Sequence, residues 1–418
     1  MINQKQKKVY FPIIFLLSWL GFTIFTFIFG PYKYKITNSF IFYTYLIAVH
    51  IALLLGYLRG QRSYGRGIQI KIDYYKFVKV IIIISFLYFI MKLLLTFGGD
   101  MRNFFATFKN ASKTYLNSSV RHSNIFSYLD IFFAPISLIA ITNAIFSYKK
   151  LSKRYRYSVF VLILFSIAAS VGSATRSGIV QILIISLAAF SLGVYKKNII
   201  LKYYHKVLIF FFAASLIIGF FLYTILLTNT RGGKIFINPL THEPPKENYY
   251  LYKITPPNIH PIINNVSFYI SHSYYRLNLA LNLPFKGLGF GLTNSFFVMD
   301  NIESITGWSG LKDISYGVRL DREIGSNYGL YWSTFYTWIA SDFTFPGTIL
   351  VVFFIGYFFS LAMKDSLYYL NPFSVTVFCS LFYFIFHFAF NNPLQDGPGL
   401  TTCFFTPLIW FIFRKRNK

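Results

Sequence analysis

Apolar runs long enough to cross a bilayer, or nearly so, follow one another through most of this chain and leave it few ways to fold. They cover residues 11–29, 40–58, 80–97, 125–146, 158–194, 207–227, 345–363, 373–390 and 400–413. The stretch 158–194 is too long for one span and about right for two. In lipid the backbone must satisfy its own polar groups, which helices do. The expected fold is therefore all-α and polytopic, with about ten transmembrane helices. Composition agrees: 55% of the residues are hydrophobic, 21% are aromatic, and the mean hydropathy is +0.51. Ordinary soluble domains are less apolar than this.

A net charge of +27 would point to nucleic acid in a soluble chain. Here most Lys and Arg fall in short loops between the apolar runs, the pattern of cytoplasmic loops, so nucleic acid is not an expected partner. Both termini and the basic segment 149–156 are expected inside. The first run is expected to be a retained span, since no small-residue cleavage site follows it. On this count residues 1–228 hold helices 1–7, residues 229–343 form one large extracytoplasmic loop, and residues 344–418 hold helices 8–10. Asp73 and Asp365 are then the acids on the inside, and the others lie outside or near that edge. Cys379 and Cys403 sit in apolar runs and imply neither a disulfide framework nor a metal site.

The polar residues that could carry chemistry are few. Arg176 lies in the turn between the two halves of 158–194. Thr175 or Ser177 could cap the following helix, so that free N–H groups and the guanidinium converge on a phosphate. The competing reading is an arginine that snorkels to the headgroups. Arg276 follows His272 by one turn on a helix-like run, with Tyr274 and Tyr275 beside it, and could equally be a solvated interfacial arginine. The helix-like parts of the loop, 267–283 and 325–342, are expected to lie along the interface with their apolar side down. The glycines of 287–291 permit a tight turn but have no βαβ context, so they are no nucleotide fingerprint. Arg319, Arg322, Glu323, Lys312, Asp313 and Asp321 make a charged cluster whose default reading is a solvated surface. Trp332, Tyr336 and Trp338 could stack on sugar rings, although aromatic belts at a membrane interface use the same residues. His50 and His387 read as packing.

Three stretches carry a resemblance. Ser173-Ala174-Thr175-Arg176-Ser177-Gly178 is a small-residue turn around an arginine. Residues 276–291 run from an arginine through an amphipathic helix and a proline into a glycine-rich turn. Ser341-Asp342-Phe343-Thr344-Phe345-Pro346-Gly347 is an acid followed by a glycine at the head of a late span. Together with the topology, these resemble the O-antigen ligase and polymerase superfamily, and most closely the bacterial oligosaccharide repeat-unit polymerases of the Wzy type. The chain departs from it at two places. Ser333 stands near the place where the ligases carry a histidine, which favours a polymerase. Thr344 stands where a glycine is often found.

The resemblance implies a GT-C-type helical architecture in the cytoplasmic (inner) membrane. The substrates would be oligosaccharide repeat units on undecaprenyl pyrophosphate, joined at the outer face into O-antigen, capsular polysaccharide or exopolysaccharide. It implies a metal-independent glycosyltransferase with no cofactor, working beside the bilayer with a flippase and a chain-length regulator of the same pathway. Arg176, Arg276, Arg319 and Arg322 would bind pyrophosphate, where planar guanidinium forks suit the charge. Arg276, Asp342, His272 and Glu323 are the catalytic candidates, and the last three are open as the base for the attacking hydroxyl. The alternatives are a ligase-like glycan transferase and a lipid-linked oligosaccharide flippase or transporter. A transporter would place charges or broken helices near mid-membrane.

Overall fold

The structure is a computed structural model that describes residues 10–68, 72–97, 125–172, 177–199, 237–324 and 332–414. Twelve helices frame the described residues. They are α1 (Phe11–Phe29), α2 (Ser39–Arg62), α3 (Tyr74–Phe97), α4 (Ile125–Phe146), α5 (Lys153–Gly172) and α6 (Ser177–Tyr195). The rest are α7 (His260–Leu281), α8 (Phe296–Thr306), α9 (Tyr316–Ile324), α10 (Phe335–Tyr369), α11 (Pro372–Phe386) and α12 (Thr406–Phe413). Among the described residues extended pairing is confined to one isolated bridge, Ile68 with Arg414.

The protein is thus a helical membrane protein. Among the described residues five helices are long and apolar enough to cross a membrane: α1, α2, the Tyr74–Met91 part of α3, α6 and α10. The expected span at 125–146 coincides with α4, and those at 373–390 and 400–413 appear as shorter apolar helices over Pro372–Phe386 and Gly397–Phe413. The last is interrupted by a π-turn over Thr401–Phe405, and Pro407 follows after one intervening residue. The run 207–227 lies outside the described residues. Helix ends follow local chemistry. The Asn38 side chain accepts from the Ile41 N–H at 3.2 Å and caps α2. Arg59 and Arg62 close α2 at the negative end of its dipole.

Contacts divide the chain into two compact units, which cut across the expected order of spans and loop. The first comprises Met1–Tyr64, Ile235–Leu361 and Phe384–Phe404. In it α7 packs along α1, where Tyr274 bonds Thr23 at 2.8 Å and Phe27 lies against the Tyr274 ring. Helices α2 and α10 cross with their backbones in contact. A Cβ on Gly56 would collide with the Phe353 carbonyl, and one on Gly356 with the Leu53 carbonyl. Nothing larger than hydrogen fits at either position.

Helix α10 is broken at Thr344, where φ is 68° and ψ is 167°. Pro346 explains why the first half cannot run on, since it lacks an N–H for the ladder. Thr344 then caps the second half: its Oγ1 accepts from the Gly347 N–H at 3.3 Å.

The second unit comprises Gly65–Lys234, Ala362–Tyr383 and Phe405–Lys418. Helices α3–α6 pack together in it. Asn143 is buried and fully engaged, accepting from Tyr74 Oη at 2.9 Å and donating to the Ile139 and Pro372 carbonyls and Thr376 Oγ1. Asp365 is also buried. It accepts from Arg414 Nε at 2.7 Å, Trp410 Nε1 at 3.0 Å and the Arg66 N–H at 2.6 Å.

Candidate functional site

The first unit holds the predicted site residues that the structure describes, and it sorts them differently from the sequence. Helix α7 is a core element rather than a helix laid on an interface. None of its residues is exposed, and the buried set includes Asn264, Asn265, Ser271, His272, Ser273, Arg276 and Asn278. The start of α10 is enclosed in the same way, from Ser333 to Asp342. The expectation that 267–283 and 325–342 lie apolar side down is corrected to this extent. The polar side of α7 is as buried as its apolar side, because neighbouring elements surround it.

Arg276 is 0% exposed. Its Nε donates to Ser333 Oγ at 2.8 Å, and Nη2 donates to the Gly317 carbonyl at 3.1 Å and to Asp321 Oδ1 at 2.7 Å. The guanidinium is thus ion-paired inside the protein. Ser333, which stands in the sequence near the place of the ligases' histidine, touches this arginine directly. His272 lies one turn earlier, and its Nδ1 donates to the Phe268 carbonyl at 2.8 Å. Burial pushes the imidazole down to about 4, with the Arg276 charge adding to the effect. His272 is therefore neutral at physiological pH and a weak base.

Arg319 contrasts with Arg276. It is only 4% exposed, yet no carboxylate among the described residues pairs with it. Nη1 donates to the Pro284 carbonyl at 2.8 Å, and the guanidinium lies 5.4 Å from the Tyr316 ring centre. Tyr316 packs with Ala280, Leu320 and Ala340 in a small core beneath it. A buried cation without a counter-ion is costly, and anion-binding sites are where proteins accept that cost.

Asp342 is 0% exposed and, among the described residues, is likewise held without a cation. Oδ1 accepts from the Thr293 N–H at 2.9 Å and Thr293 Oγ1 at 2.7 Å, and Oδ2 accepts from Asn294 Nδ2 at 2.6 Å. Asn392 Nδ2 donates to the Asn294 carbonyl at 2.7 Å and steadies that donor. The glycine-rich turn closes over the carboxylate. The Gly289 N–H donates to the Ser341 carbonyl at 3.2 Å, and a Cβ on Gly289 would collide with Asp342 Oδ1 and Thr293 Oγ1. Sequence reasoning misses Thr293, Asn294 and Asn392.

The charged cluster separates into three parts. Asp321 goes to Arg276, Arg322 pairs with Asp313 at 2.5 Å in solvent with 60% of its side chain exposed, and Lys312 pairs with Asp300 and Glu303. The solvated reading therefore holds for Arg322 and Asp313 and fails for Arg319 and Asp321, with Lys312 half-buried between them. Tyr336 is enclosed among aromatic rings and Trp338 among Phe296, Met299, Leu311 and Val318, so neither presents a face for stacking as the protein stands. Trp332 is partly exposed, edge-on to Tyr269. Arg176 and the side chain of Glu323 lie outside the described residues. Among the described residues no three His, Cys, Asp or Glu side chains gather as metal ligands. The chain matches no family model, no curated protein and no solved structure.

Proposed function

We propose that this protein is a polymerase of lipid-linked oligosaccharide repeat units, a glycosyltransferase of the Wzy type. The ten-span, GT-C-type arrangement in the cytoplasmic membrane and the extracytoplasmic position of 229–343 belong to the same proposal. One observation carries it. In the stretches on which the resemblance rests, and in the helix beside them, Arg276, Arg319 and Asp342 are all buried, although a solvated loop would leave them in water. Two of the three have no ionic partner among the described residues. The reaction asks for both of these. A sugar hydroxyl of one unit attacks the anomeric carbon of the chain on its carrier, and the bond from that carbon to the pyrophosphate oxygen breaks. The electron pair leaves with the pyrophosphate, whose charge a shielded guanidinium stabilises. The hydroxyl proton goes to a carboxylate.

Arg319 is the cation we assign to the pyrophosphate, because Arg276 is committed to Asp321. Arg276 then positions α7 against Ser333 and α9. Of the three candidate bases, Asp342 is the group we assign, since the His272 imidazole is pushed down to about 4. The backbone at Thr344 supports the same reading: the position where the resemblance expects glycine has a conformation that glycine adopts most easily.

The test is the length ladder of surface polysaccharide in a strain lacking this gene. Single-repeat decoration, restored to a ladder by the wild-type gene and not by Arg319→Ala at equal protein level, is the expected result. Loss of all decoration, with lipid-linked units held at the cytoplasmic face, would make the protein a flippase. A full ladder of free polymer lacking attachment would make it a ligase.

A further inference from the structure

The turn that closes over Asp342 has a second side. Its inward groups are fixed at three points: the Pro284 carbonyl on Arg319, the Gly289 N–H on Ser341, and the Gly291 carbonyl on Asn294 Nδ2. Its outward groups are apolar. Phe285 is 47% exposed and Phe290 is 73% exposed, and Leu288 and Leu292 stand out beside them. Phe290 adopts a left-handed backbone, φ 51°, which an aromatic residue rarely accepts. Gly291 next to it has φ 92°. The backbone thus bends so that Gly289 meets the carboxylate while the ring of Phe290 points away. A soluble loop would gain by folding such side chains inward, and the three internal bonds prevent it.

We propose that residues 285–292 form a membrane-insertion loop that seats Phe285, Leu288, Phe290 and Leu292 among the acyl chains of anionic phospholipid. Two observations select this occupant. The loop is continuous with a lipid-facing surface: its anchor, Ser341, lies just before the break in α10, which goes on to expose Phe343, Leu350 and Phe354. Its charge is complementary to anionic headgroups. Lys286 is exposed at its start, beside Phe285, and no Asp or Glu occurs between Leu283 and Met299. Aromatic and aliphatic side chains around a lysine are the composition of interfacial anchors. The inference needs only a membrane protein and does not depend on the polymerase reading.

The experiment uses the full chain in nanodiscs of phosphatidylglycerol and phosphatidylethanolamine. Phe290→Cys and, separately, Phe285→Cys carry a bimane label. Native Cys379 and Cys403 are buried, which favours labelling at the introduced site. Leu350→Cys on α10 calibrates the response to lipid. The expected result is quenching by acyl-chain nitroxide lipid as strong as at Leu350→Cys, with protection from aqueous iodide. Lys286→Gln should weaken the dependence of that quenching on the phosphatidylglycerol fraction. Iodide quenching without nitroxide quenching at both positions would overturn the proposal in favour of a solvent-exposed loop. Protection from both quenchers would overturn it in favour of a protein cover. Nitroxide contact that appears only after a polyprenyl phosphate is added would overturn it in favour of a carrier-lipid site.

Discussion

Asp342 and Asp365 lie on the same helix, and neither is exposed, but they are held in opposite ways. Asp365 has a guanidinium, an indole N–H and a backbone N–H, so its charge is matched within the protein. Asp342 has two neutral side chains and one N–H, and no cation among the described residues matches its charge. Arg276 and Arg319 repeat the contrast with the sign reversed. A matched buried charge ties elements together. An unmatched one stays available to a partner from outside the chain. We therefore propose that Asp365 and Arg276 serve stability and that Asp342 and Arg319 serve the chemistry.

Stripping one partner from the matched pair should have the largest effect. Asp365→Ala leaves Arg414 buried alone and should cost about 3–5 kcal/mol, read as lost protein in membranes and a lower unfolding midpoint in detergent. Asp365→Leu combined with Arg414→Leu should recover most of it, since an apolar pair strands no charge. Asp342→Asn should leave protein level nearly unchanged. The assignment fails if Asp342→Asn empties the membrane while Asp365→Ala does not.

The next effect is on rate. Arg319→Ala should slow polymer formation by about 100- to 1000-fold, as loss of one preorganised donor to a departing anion does. Arg276→Ala should instead lower protein level, because Asp321 loses its cation. A pulse of polymer synthesis measured against protein content separates the two variants, and equal losses of both kinds would erase the distinction between the arginines.

His272 tests whether this unit tolerates a new buried charge. Its folded pKa, about 4, lies below the ordinary value of 6.5, so below pH 6.5 the unfolded chain takes up the proton first. Stability from this group is therefore fully present above pH 6.5 and falls as the pH drops toward 4, by up to about 3 kcal/mol. His272→Gln should flatten the slope of unfolding midpoint against pH in that window. An unchanged slope would mean that a neighbour accepts the charge.

The smallest effect sits beside Asp342. Thr344 holds a conformation that costs on the order of 1–3 kcal/mol in a non-glycine residue. Thr344→Gly removes that strain and gives up a capping oxygen worth a few tenths. A gain of about 1 kcal/mol, seen as a raised unfolding midpoint, is expected, and a lowered midpoint would mean that the Thr344 cap outweighs the strain.

The long apolar helices were legible because their signal is local: α1, α2 and α6 end close to where the hydropathy does, whereas α3 starts six residues before its apolar run and α10 ten residues before its own. The break in α10 falls between the helix-like part 325–342 and the apolar run 345–363 that the sequence separates, though the sequence does not show that Thr344 carries the strain. Burial of charge was not legible. Asp321 is two residues from Arg319 and 45 from Arg276, so the chain suggests the wrong pairing. Residues two apart on a helix point to different sides, and only the fold brings α7 to the far one. Arg276 stands out through its motif, whereas Arg319 belongs to a stretch that reads as solvated surface. The donors to Asp342 come from the turn at Thr293 and Asn294, and Asn392, which steadies Asn294, lies about a hundred residues on, so no spacing rule links them.

The crossing of α2 and α10 bears on how relatives of this protein, once aligned, should be read. Gly56 and Gly356 leave no room for a methyl group, so neither can drift to another residue while the helices keep their contact. Both should be invariant, and neither is a hydrogen-bond partner of Arg276, Arg319 or Asp342. Invariance at those glycines would record an intolerance of volume. A ranking of positions by conservation alone would place them beside the reacting groups, and a mutational screen would score their loss as loss of activity. Only a measurement of protein abundance alongside activity would tell the two kinds of intolerance apart.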